Sequence, residues 1–383
     1  MKNVLISGAG IAGPALAHWL TLAGCSVTVV ERAPAVRPGG QAVDFKGEAH
    51  LKVLERMGIL EEVQRLQTGG TDQTIIDAEG RALATIPGEF TGGTVEIGRG
   101  ELASLLYEYT ADRAEYIFGD TITSLTQTED GVHTTFQHAP PRTFDLVVGA
   151  DGIHSAVRRL AFGPEKDFVQ FLGHYYALAD VEFDGDAVMY NEPGRMVAVG
   201  GPKSPAFFVF ASEEVEYDRY DVEEQKRIVA GAYRGGGWRI PELMDRLPQT
   251  ENLFLDTISR VQMPTYSQGR VVLLGDSAYG NTLGGFGSGF AVVGAYVLAG
   301  ELVAAGGDHG VAFARYESLF RGYTKVARKA NAGPFLAPPT RRRMAMRNWM
   351  FRSPLMLKFI LKSTDWFATS IDLPDYSFTT ARP

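Results

Sequence analysis

Cysteine is almost absent. Cys25 is the only one in 383 residues, so no intrachain disulfide framework holds this chain together. It falls where a helix hands over to a strand and reads as an inert, mostly buried residue. Positive charge is also in short supply, with 37 Lys and Arg against 45 Asp and Glu and a net charge of -8. Nothing spreads a basic footprint over the chain, which argues against a nucleic-acid partner. No stretch approaches eighteen uninterrupted apolar residues, so no transmembrane span is expected. The apolar start at Val4 is broken by glycines and belongs to the fold, not to a secretory signal. Metal-ligand spacing is missing too: His174 and His309 are isolated and Cys25 has no partner. There is no internal repeat or low-complexity linker. What remains is an ordinary globular composition, 45% hydrophobic and 21% charged, long enough for a large core and two domains. A cytoplasmic enzyme is the default expectation.

What is present begins at the N-terminus. Val4, Leu5 and Ile6 form a short apolar run, followed by Gly8, Gly10 and Gly13. Residues 12–23 read as a helix and 27–30 as a second strand that ends in Glu31. Strand, turn, helix, strand and acid form the context of the dinucleotide fingerprint. Gly8 permits the tight turn, and Gly10 lets the backbone approach a pyrophosphate. Gly13 lets the helix pack closely on the sheet, while the helix start at Ile11 and Ala12 offers free N–H groups to phosphate oxygens. Glu31 stands at the distance that reaches both ribose hydroxyls of an adenosine. Its charge repels a 2′-phosphate, which favours FAD or NAD over NADP.

Residues 32–45, with two prolines and the Gly39-Gly40 pair, read as loop. Helices over 48–57 and 60–66 follow, then a hairpin over 74–86 that turns at Glu79-Gly80 and a helix over 101–110. Strands near 114–118, 121–127, 133–138 and 144–148 lead into Gly149-Ala150-Asp151-Gly152. This is a second parallel-sheet edge closed by an acid and a glycine. Between 162 and 261 the texture changes to strands at 175–181, 187–190, 196–200, 206–211 and 254–261 with a few helical pieces, which is an antiparallel sheet and a second domain. Its aromatics, Phe171, Tyr175, Tyr176, Tyr190, Phe207, Phe208 and Phe210, suit a pocket for a flat apolar substrate or simply the core of a sheet. A buried strand at 271–274 then runs into Gly275-Asp276-Ser277-Ala278, a glycine-dense loop over 280–289, and helices over 290–302 and from 311 onward.

The expected organisation is an α/β, Rossmann-like domain of residues 1–72, 95–161 and 262–325, interrupted by an α+β domain of 73–94 and 162–261 on an antiparallel sheet. A helical tail of 326–383 follows. In that tail Arg341, Arg342, Arg343, Arg347 and Arg352 interleave with Met344, Met346, Trp349, Met350 and Phe351. It reads as amphipathic helices on a membrane surface, or as helices packed over the substrate pocket or against a partner subunit. Monomer and homodimer both stay open.

Three separated motifs have now accumulated: Gly8-x-Gly10-x-x-Gly13 with Glu31, the run Asp151-Gly152-Ile153-His154-Ser155-Ala156-Val157-Arg158, and Gly275-Asp276-Ser277-Ala278 with its glycine loop and helix. In order and spacing the chain resembles the single-component FAD-dependent aromatic hydroxylases of the p-hydroxybenzoate hydroxylase type, which include polyketide hydroxylases and tetracycline-inactivating monooxygenases. The resemblance runs from residue 4 to about residue 302 and leaves the tail outside. It implies a Rossmann-like FAD-binding domain in which the first motif, Glu31 and Arg32 hold the ADP half of FAD. It places Gly40 in a loop near the flavin ring and Arg99 against FAD. Asp151, Gly152 and Arg158 belong by resemblance to the stretch linked to the pyrophosphate and to nicotinamide use, although a helix salt bridge also accounts for Arg158. Asp276 matches the acid on the ribityl chain. Gly285, Gly287 and Ser288 fall in a loop whose N–H groups would face the isoalloxazine O2 and N1.

The resemblance further implies that NADH or NADPH reduces FAD and that O2 then gives a flavin C4a-hydroperoxide. That species hydroxylates an aromatic, phenolic or polyketide-like small molecule, with the protein supplying orientation and dryness. The family has no invariant catalytic base. His174, Tyr175 and Tyr190 are candidates for pocket polar groups, each equally readable as an ordinary sheet residue. The chain also departs from the family pattern. The third motif usually runs Gly-Asp-Ala-Ala-His with a proline soon after, whereas here Ser277 and Tyr279 intervene and no proline occurs from 280 to 289. An FAD oxidase, a Baeyer–Villiger-type enzyme and a non-enzymatic flavin-binding sensor are the alternatives. A halogenase is disfavoured because none of the four tryptophans sits in a Trp-x-Trp-x-Ile pattern.

Overall fold

Four apolar runs, centred on Leu5, Val29, Val147 and Val272, are buried on both sides, as strands of a parallel sheet covered by helices must be. The computed structural model describes residues 2–70, 72–88, 94–200, 206–285, 287–325, 329–358 and 371–378. Its first sheet runs in the order Ser267–Gln268, Val271–Leu273, Leu146–Gly149, Asn3–Ser7, Ser26–Glu31, Glu115–Phe118. All pairings in it are parallel except that of the short edge strand Ser267–Gln268. The helix Gly287–Ala304 is apolar all round and packs between Ala12–Leu22 and His309–Tyr323. By length and composition alone it could cross a membrane, yet 78% of it is buried inside the protein, which marks a core helix.

The second sheet has seven strands in the order Leu253–Val261, Val169–Ala179, Ala206–Ala211, Arg195–Val199, Val188–Glu192, Gln73–Ile76, Ala82–Ile86. The expected hairpin is present at its edge, but the sheet is mixed, not purely antiparallel. Gln73–Ile76 lies parallel to Val188–Glu192, because the hairpin arrives from an earlier passage of the chain and only docks beside the later strands. Side chains alternate between two faces. Tyr175, Tyr190, Phe208 and Phe210 join the core beneath the helices Val222–Ala232 and Ile240–Arg246. Ile75, Met189, Met196 and Ile258 form the opposite face, which Tyr176, Phe207 and Leu283 border and residues 335–337 and Phe351 cover. The aromatics grouped together in the sequence are therefore divided between two faces.

Two further differences concern segments without strong periodicity. Residues 42–45 were expected in a loop, but Ala42–Phe45 pairs antiparallel with Val95–Gly98. Val43, Phe45, Val95 and Ile97 alternate inward there, and all four are buried. In the tail, Gly333–Leu336 and Arg341–Arg352 are helical, whereas 371–378 has no regular secondary structure and lies against the core helix. Phe378 packs 4.6 Å from Trp19, Tyr376 donates to Glu301 at 2.6 Å, and Arg56 pairs with Asp375 at 3.0 Å.

Candidate active site

Register brings the three motifs together. Ser7 stands opposite Gly149, Gly149 opposite Leu273, and Ser7 opposite Val30 on the other side. The Gly8–Gly13 turn, the Ala150-Asp151-Gly152 loop and the Gly275-Asp276 loop thus leave the carboxyl edge of adjacent parallel strands side by side, with Glu31 closing the next strand. This edge is where open α/β sheets bind ligands.

The glycines set how closely the loops approach. A Cβ on Gly8 would lie 2.5 Å from the Ala150 oxygen, one on Gly13 only 1.9 Å from the Gly8 oxygen, and one on Gly275 3.2 Å from the Ala12 Cβ. The protein's own packing requires glycine at the first two of these. Gly10 is different. It has no positive φ, and a Cβ there would meet nothing within 4 Å. Neither conformation nor packing calls for glycine at residue 10, and the open space beside it leaves room for a group outside the chain to approach the backbone. The helix Ala12–Leu22 that follows has no side-chain cap, leaving its first N–H groups open to such a group. Glu31 accepts from Ala9 N at 2.8 Å on one oxygen and from Ala33 N at 2.9 Å on the other, and each oxygen keeps a lone pair for a hydroxyl. Arg32 is exposed, donates to the Tyr220 hydroxyl and lies 5.4 Å from that ring's centroid.

A second cluster continues the opening. A Cβ on Gly40 would sit 3.6 Å from the Arg99 Cβ, and one on Gly287 3.7 Å from Asp276 Oδ1. Arg99, Asp276, Gly285 and Gly287 are exposed and Ser288 is half-buried. The Asp276 carboxylate accepts no hydrogen bond among the described residues. The protein crowded around it raises its carboxyl above the usual range, while the Arg99 charge pulls the other way. This combination, accessible to solvent yet ringed by protein, is that of a group on a cleft wall. Beneath the start of the core helix His50 is wholly buried. Its Nδ1 accepts from Lys46 N at 3.2 Å and its Nε2 meets the Tyr323 hydroxyl at 3.0 Å. Burial lowers its pKa to about 4, so the ring is neutral.

The middle motif faces inward. Asp151 accepts from Ala156 N at 2.8 Å, from Val157 N at 3.1 Å and from the Ser155 hydroxyl, at the start of the helix Ala156–Ala161, whose N-cap is Ser155. Gly152, at φ +81, is half-buried beside it. Arg158 is 0% exposed and donates to the Ser277 oxygen at 3.0 Å and to the Ile153 oxygen. A side chain with no accessible surface touches no ligand, so Arg158 is a strut between the second and third motifs and not a cofactor contact. Its ion pair, with Glu165 at 3.7 Å, lies outside its own helix. The departures in the third motif are turned inward as well. Ser277 Oγ bonds the Gly149 oxygen, and the Tyr279 hydroxyl donates to the Phe290 oxygen at 3.3 Å.

The candidate polar groups are not brought to this opening. Tyr175 is buried on the other face of the seven-stranded sheet, its hydroxyl accepting from Val215 N at 2.7 Å. Tyr190, on that same face, donates to Glu192 Oε1 at 3.1 Å. His174 is covered by the tail: a Cβ on Gly333 would lie 2.4 Å from its ring. Strand alternation puts Tyr176 on the opposite side from Tyr175. Tyr176 stands across from Asp256, which His154 Nε2 contacts at 3.0 Å while its Nδ1 contacts Glu165 at 2.8 Å. The middle motif is thereby pinned to the second sheet, with both carboxylates raising the His154 pKa against its burial. Tyr176 feels the charges of Asp256, Arg99 and Asp276, and burial pushes its hydroxyl pKa up. Its hydroxyl has no hydrogen bond among the described residues. Beside it lie Phe254 at 5.8 Å, Phe207 at 6.4 Å and, in the same cluster, Leu283 at a left-handed φ of 55°. Strand parity was the signal that could have separated Tyr176 from Tyr175.

Residues 1–312 match the family model described as the FAD binding domain. A flavin-dependent monooxygenase of Legionella longbeachae is 33% identical over 85% of this chain and 87% of its own. An uncharacterized protein of Mycobacterium tuberculosis is 40% identical over 85% of this chain and 91% of its own. The crystal structure of the tetracycline destructase Tet(51) superposes with a TM-score of 0.82 at 29% identity, covering 98% of this chain and 99% of that one. The chain belongs to the family of FAD-dependent monooxygenases related to p-hydroxybenzoate hydroxylase that takes in the tetracycline-inactivating enzymes, and it is an FAD enzyme that acts with O2.

Proposed function

We propose that this chain, in the cytoplasm, uses NADH or NADPH and O2 to hydroxylate an aromatic, phenolic or polyketide-like small molecule, with FAD laid along the carboxyl edge of the parallel sheet. The observation that carries the placement is Gly10, a glycine the protein itself does not need. When bound, FAD supplies the redox chemistry, taking a hydride from the nicotinamide and activating O2. The chain's own residues bind and orient. The turn Gly8–Gly13 and the uncapped helix at Ile11 and Ala12 receive the pyrophosphate, and Glu31 offers its remaining lone pairs to the ribose hydroxyls, with Arg32 beside it. Asp276, which has no donor among the described residues, accepts from ribityl hydroxyls. Gly40, Arg99, Gly285, Gly287 and Ser288 frame the ring end, where backbone N–H groups stabilise negative charge. Asp151 and Gly152 shape the neighbouring loop from behind.

Tyr176, Phe207 and Leu283 form the apolar wall opposite that end, and Tyr176 brings one hydroxyl with an open valence. Such a wall suits a flat substrate and keeps water out. The strand memberships of the two sheets support the division into an FAD unit of 1–72, 95–161 and 262–325 and a substrate unit of 73–94 and 162–261.

The test is a visible spectrum of the purified protein, followed by NADH and NADPH oxidation in air with phenols, naphthoquinones and tetracyclines. Flavin bands, substrate-stimulated oxidation and a product heavier by one oxygen atom are expected. Oxidation that yields only hydrogen peroxide and no oxygenated product overturns the hydroxylase reading in favour of an oxidase.

A further inference from the structure

Every charged side chain from residue 318 to residue 364 is Lys or Arg, in a chain whose net charge is -8. Within that stretch lies the helix Arg341–Arg352, whose first turn is closed by Thr340 accepting from Arg343 N at 3.3 Å. The helix is polarised in an unusual sense. Its inner side carries Arg347, Asn348 and Phe351, all buried. Arg347 spends its guanidinium on the Phe335 and Leu336 oxygens, each at 3.1 Å, and on Asn191 Oδ1 at 2.8 Å. Its outer side carries Met346 and Trp349, each 59% exposed, and Leu355 just beyond the helix is 82% exposed. Arg342, Met346, Trp349 and Arg352 recur at helical spacing on one stripe, so the exposed apolar groups alternate with guanidinium groups one turn away.

A helix facing only water would turn Met346 and Trp349 inward. Single exposed apolar residues need no explanation, but two on one basic stripe of an acidic protein, with a third exposed just beyond the helix, do. A matching surface must be anionic at its rim and apolar just beneath, and it must tolerate an indole at the boundary. A phospholipid bilayer with anionic headgroups has that layering, and tryptophan is favoured at its interface. A second copy of this chain, negative over the remainder of its surface, matches the charges but offers no such ordered layering.

We propose that the outer face of the helix Arg341–Arg352, together with Leu355, docks on the surface of an anionic phospholipid bilayer. The inner side of the same helix covers the face of the seven-stranded sheet where Met189 and Met196 lie, so docking brings the second sheet next to the lipid. This attachment is reversible and peripheral, independent of which substrate the enzyme oxidises.

The test uses the full chain loaded with FAD and floated with vesicles of phosphatidylcholine alone or of phosphatidylcholine and phosphatidylglycerol in equal parts. At low salt, roughly ten-fold more protein should rise with the anionic vesicles. Raising the salt to about 1 M, where the screening length is only about 3 Å, should release it. The variant Met346→Ser/Trp349→Ser/Leu355→Ser should stay at the bottom of the gradient while keeping its flavin spectrum and monooxygenase rate. Equal flotation with both vesicle types, retention at high salt, or flotation of the serine variant overturns the proposal. So does a wild-type dimer that ignores vesicles and becomes monomeric in the serine variant, which would assign the face to a second copy. If the serine variant fails to hold FAD, Arg341→Gln/Arg342→Gln/Arg343→Gln replaces it, because those three side chains are exposed and make no contact in the fold that the proposal needs.

Discussion

Asp151 and Asp276 close neighbouring strands of one parallel sheet, and both are held above the usual carboxylate range by the protein around them. Their valences differ completely. Asp151 is occupied by the start of the helix that follows it, receiving Ala156 N, Val157 N and the Ser155 hydroxyl. Asp276 is open to the cleft and has no internal donor among the described residues. A related contrast separates Gly13, which the fold requires, from Gly10, which it does not, and Arg158, buried with its two terminal nitrogens on backbone oxygens, from exposed Arg99. A motif residue that is satisfied within the chain builds the edge, and one left unsatisfied is available to a ligand. Substitution should therefore split the two groups, the inward residues changing the stability of the ligand-free protein and the outward ones changing FAD affinity.

The largest effect is expected from Gly13→Leu. Its Cβ would press to 1.9 Å from a backbone oxygen, which no rotamer relieves, so the helix must leave the sheet at a cost of about 3 kcal/mol or more. The variant should be insoluble or colourless on purification. A yellow, stable protein would break the comparison at its strongest point.

Protonation of His50 ranks next. Its pKa is about 4 in the fold and about 6.5 in an unfolded chain. Between those values the unfolded chain takes up a proton that the folded chain refuses, so stability is fully present above about pH 6.5 and lost progressively down to about pH 4. The loss is about 3 kcal/mol for this group, and buried His18, also lowered to about 4 by burial first and Arg113 second, adds in the same direction. Chemical denaturation at pH 7, 5.5 and 4.5 measures it. In His50→Gln the slope over that window should be shallower, and an unchanged slope would remove His50 from the account.

Asp151→Ala should cost the ligand-free protein about 2 kcal/mol, the cost expected for orphaning the donors at the helix start that it accepts from. Asp276→Ala should leave the ligand-free melting temperature nearly unchanged and weaken FAD binding by roughly ten-fold to a hundred-fold, the range for hydrogen bonds to a charged group. Titration of the stripped proteins with FAD, alongside melting curves, reads both quantities. If Asp276→Ala destabilises the ligand-free protein as much as Asp151→Ala does, the division between inward and outward carboxylates fails.

The carboxyl edge was legible in the sequence because its signals are local: a glycine or an acid directly after an apolar run, three times over. What those residues touch was not. The depth of Arg158 depends on Ser277, 119 residues away, and no spacing rule reports that. Tyr175 and Tyr176 differ only in strand parity, and an irregularity between Phe171 and His174 shifts the register just before them. The strand Ala42–Phe45 follows prolines and glycines, and it becomes a strand only because Val95–Gly98 arrives later to pair with it. The hairpin over 73–86 was visible from its own turn, yet its parallel neighbour lies more than a hundred residues downstream. Features set by contacts distant in sequence are those that tertiary structure decides.

Gly10→Ala is the smallest change and the sharpest discriminator. The added methyl meets no protein atom within 4 Å and the backbone needs no positive φ, so the ligand-free protein should melt within about 0.5 kcal/mol of wild type. A methyl placed in the turn just ahead of the helix does intrude on any phosphate drawn to the helix's first N–H groups, and FAD affinity should fall by at least several-fold. ADP and adenosine separate the contributions: if the methyl blocks the pyrophosphate, binding of ADP weakens along with FAD while that of adenosine, held through Glu31, does not. Full FAD affinity in this variant would mean that nothing outside the chain approaches Gly10, and the cofactor would then have to run along the edge by another path than the one its glycines mark.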